Sequence, residues 1–291
     1  MLDTIFIQLL SGITRGMILF SVAVGLTLIF GVLRVANFAH GSFYMLAMYM
    51  AYTVIVMNVS PTYGFLLALV IVPVVMALFG IVIDNLLLRR IVLREHQYQF
   101  ILTFALSLII ADGVKLFWGK EYHSILRPAF LSGCVQIFDR PFPVYYIMII
   151  LVGAALAIFI SLLMTRTMFG KIVRASISDR EMVSSLGHNV GLINTSVFAM
   201  GSAITGLGGV LGAPIGSIGL GIDTAIIIEA FAAVIIGTPG NVYGALYGAL
   251  IIGVIHSIGI MFAPRLAIVF IFIVVCFVLV YIPEGLMGKR R

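Results

Sequence analysis

A charge inside an apolar run has no water to solvate it, so each such residue is a candidate for chemistry or for a buried partner. Glu229 stands within the run 226–231 with no basic residue inside one helical turn, and it is expected to face protein rather than lipid. His256, beside Ser257, reads as a polar contact between helices. Asp112 and Lys115 are three apart on one helix and can pair near the end of their span. Asp84 lies about a turn from Arg89 and can reach the membrane interface. None of these forms a catalytic pair or has metal-ligand spacing. The Gly-Lys pairs at 119, 170 and 288 are followed by Glu, Ile and Arg, so no Walker A loop cradles a phosphate. A zinc-binding His-Glu-x-x-His helix and a Gly-x-Ser-x-Gly nucleophile elbow are also absent. Nothing in the chain points to an enzyme.

Two short segments interrupt the apolar pattern at places expected to lie within a membrane. The first runs from Arg34 to Ser42 and contains Asn37, His40 and Gly41. The second contains Gly237, Thr238, Pro239, Gly240 and Asn241. In each, polar residues and glycine end one helix and a new helix opens. Irregular backbone at membrane depth survives only where it is buried in protein or lines a wet path. Such discontinuous helices point to a translocation site, so Asn37, His40, Gly41, Gly237, Pro239 and Gly240 are the expected substrate-path residues.

A third segment, residues 170–190, is soluble and amphipathic. Ile172, Ala175, Met182, Val183 and Leu186 alternate with charges at helical spacing, predicting a short helix over 171–190. Gly187 is a C-cap candidate, because glycine enters the left-handed region without a Cβ clash. Such a helix either rests on the membrane surface or docks in a groove of a soluble partner.

The elements that must position these residues follow from composition. Of 291 residues, 62% are apolar and 10% are charged, and the mean hydropathy is +1.22. A soluble domain of this length cannot hide that much apolar surface, so lipid is the solvent. Spans of about 20 apolar residues fall at 16–33, 41–59, 64–88, 98–118, 144–164, 191–212, 242–262 and 266–282, with a shorter piece at 225–237. The expected fold is an all-α polytopic membrane protein of about eight transmembrane helices with one or two broken or re-entrant segments. Residues 1–291 are expected to form one transmembrane domain, with a cytoplasmic loop at 165–190.

The net charge of +6 is spread over short loops rather than gathered on a patch, which argues against a nucleic-acid partner. Arg89, Arg90 and Arg94, then Arg166, Lys171, Arg174 and Arg180, then Lys289, Arg290 and Arg291 fall on one side if the spans alternate. That side is expected to be cytoplasmic, with the C-terminus there, the N-terminus periplasmic and the loop 121–143 outside. Met1-Leu2-Asp3-Thr4 lacks the basic start of a cleavable signal, so the chain is expected to be retained whole. Cys134 and Cys276 suggest neither a disulfide framework nor a metal site. Glycines at 208, 212 and 216, and at 240, 244 and 248, let helices approach closely, either within the bundle or against a second subunit.

The stretch from Gly25 to Leu46, with its Asn37-Phe38-Ala39-His40-Gly41 core, resembles the first-span signature of branched-chain amino-acid ABC permeases of the LivH type. The loop 174–189, with Asp179 and Leu186-Gly187-His188-Asn189, is similar to that family's ATPase-coupling loop, and the glycine patterns of 198–212 and 230–253 also resemble it. Departures are Val183, His188, Thr238 and Glu229, where the family usually carries Ala, a non-polar residue, Gly and often Lys.

The resemblance implies a permease subunit of an inner-membrane importer for branched-chain amino acids, or for a related small polar solute such as urea or an amide. Its partners would be a second permease, two ABC ATPase subunits and a periplasmic solute-binding protein. No cofactor is expected on this chain; ATP and Mg belong to the ATPases. Asp179, Leu186, Gly187 and Asn189 would carry the ATPase coupling. The rival expectation is an autonomous secondary transporter driven by protons or sodium, with Glu229 and Asp112 as coupling groups.

Overall fold

The computed structural model describes residues 2–58, 60–91, 94–138, 140–282 and 284–288. The basic tail Lys289, Arg290 and Arg291 lies outside the described residues. The chain is helical almost throughout: α1 (Leu2–Leu33), α2 (Ala39–Val56), α3 (Pro61–Ile83), α4 (Arg89–Ile91), α5 (His96–Trp118), α6 (Val144–Arg166), α7 (Met168–Ser178), α8 (Arg180–Ser185), α9 (Val190–Gly212), α10 (Ile222–Gly237), α11 (Val242–Phe262) and α12 (Ala267–Tyr281). Between α5 and α6 a hairpin pairs β1 (Cys134–Ile137) with β2 (Arg140–Pro143), Cys134 opposite Pro143.

Among the described residues, eight helical stretches are long and apolar enough to cross a membrane. α10, at 16 residues, is shorter, reaching about 24 Å at 1.5 Å per residue. α1 is the central post: 78% of its most apolar stretch is buried, against 17% for the last span. α3, α5, α6 and α12 form the rim, showing Val70, Ile109, Phe159 and Phe277 outward. Contiguous exposed apolar side chains of this kind require lipid.

Small residues fix the centre of the bundle. α1 and α11 run antiparallel: a Cβ on Gly12 would come within 2.7 Å of Val254 Cα, and one on Gly16 within 2.9 Å of Leu250 Cα. Gly208 meets Ser21 and Gly212 meets Tyr44, while Gly244 and Gly248 meet Gly237 and Ala233. The glycine stripes are therefore used within the chain. Gly216, with open space around it, is the exception.

The basic residues Arg34, Arg94 and Arg180 line one surface hollow with Asp179 and Glu181, so the end of α1, the start of α5 and the α7–α8 segment share one side, the basic end. At the opposite end, an isolated bridge between His123 and Ile218 ties the α5–α6 loop to the α9–α10 connection. Trp118 Nε1 donates to Thr53 Oγ1 there at 2.7 Å.

The structure departs from the sequence reading in three places. α1 begins at Leu2, well before residue 16, which carries Arg15 into the helix. The 171–190 segment is two helices rather than one, because Asp179 turns extended and its carboxylate caps α8 by accepting from the Met182 N–H at 2.9 Å. Asp84 turns inward instead of reaching the interface: it is 1% exposed and accepts from Thr195 Oγ1 at 2.5 Å.

Candidate functional site

The first break, residues 34–38, re-enters the bundle. Arg34 leaves α1 in the left-handed region (φ 56°), and the chain climbs back until His40 sits over Gly25, with Nε2 2.6 Å from Thr205 Oγ1 of α9. Asn37 Oδ1 accepts the Ala39 N–H at 3.1 Å and starts α2. Both Asn37 and His40 are wholly buried. Gly41 faces the Asp223 backbone and Ile227 of α10, a contact that leaves no room for a side chain. Ser42 Oγ donates to Asp223 Oδ2 at 3.2 Å. This cluster locks α1, α2, α9 and α10 together.

The second break, residues 238–241, lies at the basic end. Gly240 N–H donates to Thr27 Oγ1 at 2.9 Å, and Thr238 Oγ1 donates to the Glu284 carbonyl at 2.8 Å. Asn241 Oδ1 caps α11 by accepting from Tyr243 and Gly244. Gly237 packs against Gly244, Pro239 is exposed, and Gly240 and Asn241 share a hollow with Arg174 and Ile177 of α7. Both breaks thus lean on α1, with His40 over Gly25 and Gly240 beside Gly31, less than two turns apart. They differ in surroundings: the first is sealed in protein, and the second opens on a hollow shared with α7.

That segment ends in a Schellman motif. His188 N–H donates to the Val183 carbonyl at 3.3 Å and Gly187 N–H to the Ser184 carbonyl at 3.0 Å, with Gly187 at φ 86°. Leu186 is 69% exposed at its tip. Asn189 Oδ1 accepts the Leu192 N–H at 3.2 Å and caps α9. Asp179 and Asn189 therefore act as helix caps, while Leu186 and Gly187 form an outward-facing apolar corner.

A concavity inside the spans that holds buried charge lies elsewhere. Its floor is an ion pair, Arg15 Nη2 to Glu229 Oε1 at 2.6 Å. Glu229 faces protein, as expected, and its counter-charge comes from α1. The antiparallel contacts of α1 with α11 place Arg15 level with the middle of α11. Around the pair is a cavity of about 360 Å³ that also meets Ser11, Tyr44 and His256. It reaches Gly216 and Ile260, and so opens toward the end opposite the basic one. Ser257, not His256, makes the helix–helix polar contact, donating to the Gln8 carbonyl at 2.8 Å. Asp112 and Lys115 pair at 2.6 Å on the exposed face of α5. Arg15, Thr205 and Asp223 escaped the sequence reading. A search for basic partners of Glu229 across all spans, not within one turn, would have found Arg15.

A bundle of long helices with broken members and an intramembrane polar cavity defines a polytopic permease. Residues 8–279 match the family described as branched-chain amino acid transport system / permease component, and the chain belongs to that family. Among similar proteins, the high-affinity branched-chain amino acid transport system permease protein BraD of Pseudomonas aeruginosa is 27% identical over 97% of this chain and 95% of its own. The corresponding LivH of Escherichia coli K12 is 27% identical with the same coverage. A probable branched-chain amino acid transport permease LivH of Methanocaldococcus jannaschii is 28% identical over 84% of this chain and 80% of its own. No solved structure matches.

Proposed function

We propose that this chain is the membrane-spanning permease subunit of an ATP-driven importer for branched-chain amino acids, working with a second permease, two ATPases and a soluble solute-binding protein. The observation that carries this reading is the match of residues 8–279 to permease components, on a chain with no nucleotide-binding loop of its own. The exposed corner at Leu186 and Gly187 supports it, because an apolar tip beside helix caps suits docking into a soluble partner. The basic end is then cytoplasmic, and the cavity above Arg15 opens to the outside. ATP binding closes the ATPases, and the α7–α8 segment passes that movement to the second break, with which α7 shares a hollow. Energy enters through nucleotide and solute binding differently to the outward and inward states. Asn37, His40 and Gly41 would hold the helices that move against one another, and Gly237, Pro239 and Gly240 would sit where the motion arrives.

The deciding experiment is uptake in proteoliposomes containing all the partners. Uptake of leucine, isoleucine or valine should require ATP and the binding protein and should survive an uncoupler at constant ATP. Uptake by the purified chain alone, driven by an ion gradient and abolished by the uncoupler, would establish the secondary-transporter reading instead.

A further inference from the structure

The Arg15–Glu229 pair is costly where it stands. An ion pair at mid-membrane loses its hydration, and lipid supplies nothing in return. The Arg15 side chain is nevertheless 42% exposed within this chain, so what covers it must be water, solute or protein. The pair is also incomplete. Among the described residues, Glu229 Oε2, Arg15 Nε and His256 Nδ1 are buried without a hydrogen-bond partner, although Glu229 is only 8% exposed. All three residues face one cavity. Buried polar atoms are ordinarily satisfied, so three unsatisfied ones on residues that line one space call for an explanation, and a ligand in that space supplies one.

The chemistry of the space is specific. It offers one cationic fork and one carboxylate side by side, the complement of a molecule that carries an anion and a cation two bonds apart. Beside Ser11, Thr14 and Tyr44, its wall carries an aliphatic patch of Ile18, Leu19, Met48, Ile226 and Ile260. At about 360 Å³ it falls at the small end of the range for small-molecule sites.

We infer that this cavity is an intramembrane binding site for a zwitterionic α-amino acid with an aliphatic side chain. The solute carboxylate binds the Arg15 guanidinium, its ammonium donates to the Glu229 carboxylate, and its side chain lies on the aliphatic patch. In the empty state the two residues neutralise each other, which keeps a mid-membrane charge from standing alone. The site rests on the importer reading: the binding protein would release solute into it from the outside.

The test uses the complete importer in proteoliposomes and two independent measurements. First, Cys134 and Cys276 are replaced by Ser, and Ser11→Cys is introduced at the cavity wall. A water-soluble methanethiosulfonate reagent should label it, and leucine delivered by the binding protein during turnover should slow the labelling several-fold. Second, Arg15→Gln combined with Glu229→Gln keeps hydrogen bonding and removes both charges. Leucine moved per ATP hydrolysed should fall by about tenfold or more, the scale of one lost charge-assisted contact. Labelling that leucine does not slow, or a wild-type transport ratio in the double variant, would overturn the site. The importer reading fails separately, if the wild-type assembly shows no ATP-dependent uptake.

Discussion

Thr238 places a β-branched side chain on a backbone with φ of 91°, a region that glycine enters freely and threonine does not. Strain of this kind costs about 1–3 kcal/mol, and the Thr238 Oγ1 bond to the Glu284 carbonyl returns about 1 kcal/mol. Thr238→Gly is therefore expected to raise the thermal midpoint of the detergent-solubilised protein by roughly 2 °C. A lower midpoint would mean that the tether to residue 284 outweighs the strain. At this scale the sequence was legible where a residue's own neighbours decide its role. Gly187 as a left-handed cap and the Asp112–Lys115 pair both follow from local spacing. The partner of Glu229 was not legible in that way. Arg15 is flanked by Ser11, Gly12, Thr14 and Gly16, polar and small residues that depress local hydropathy, so an apolar-run count starts after it. The helix forms there regardless, because those small residues let α11 approach α1 closely.

The helices are held in register by contacts that admit no added volume. A Cβ on Gly25 would lie 2.6 Å from His40 Nε2 and 2.7 Å from the Gly201 carbonyl, where helix backbone and a buried ring cannot both yield. Gly25→Val should cost at least about 3 kcal/mol by overpacking and by separating α1 from α9. Size-exclusion yield of monodisperse protein should fall sharply. Gly113→Ala on α5, with nothing within 4 Å, provides the matched control and should leave that yield unchanged. If both variants behave alike, the His40 junction is not a packing constraint. Element positions were largely readable from apolar runs, and the glycine stripes from their four-residue spacing. The split between α7 and α8 was hidden because Asp179 fits the amphipathic pattern equally well as a mid-helix polar residue or as a cap. Its carboxylate settles on the cap, since the N–H groups that open α8 have no other intrahelical partner.

For the whole molecule, eight long spans alone would leave both termini on one side. α10 resolves this: it runs antiparallel to α11, from Ser42 at the re-entrant start of α2 to the basic end, and the 213–221 connection brings the chain down to it from the opposite end. With α10 and the 213–221 connection counted as one further pass, the described residues place Leu2 and residues 284–288 at opposite ends of the bundle, and 284–288 meet the end of α10 through the Leu286 N–H and the Ile236 carbonyl at 2.9 Å. That parity was hard to read from sequence because a 16-residue piece cannot be told from a buried fragment by length. Exposed Cys134, on the hairpin opposite the basic end, should accordingly react with a membrane-impermeant maleimide added outside intact cells. Labelling only after permeabilisation would invert the orientation. In the proposed importer, coupling between the two ends would run through the α7–α8 corner. Space around Gly187 is open, so a Val there meets no neighbour and carries only the backbone penalty of holding φ near 86°. That penalty, of order 1–2 kcal/mol, would undo the Schellman turn and move exposed Leu186 without touching any buried contact. Gly187→Val should therefore insert and accumulate normally, while solute-stimulated ATP hydrolysis and uptake fall together in proteoliposomes containing all partners. Full stimulation in that variant would mean that the corner is only a surface turn and that the ATPases engage the permease elsewhere.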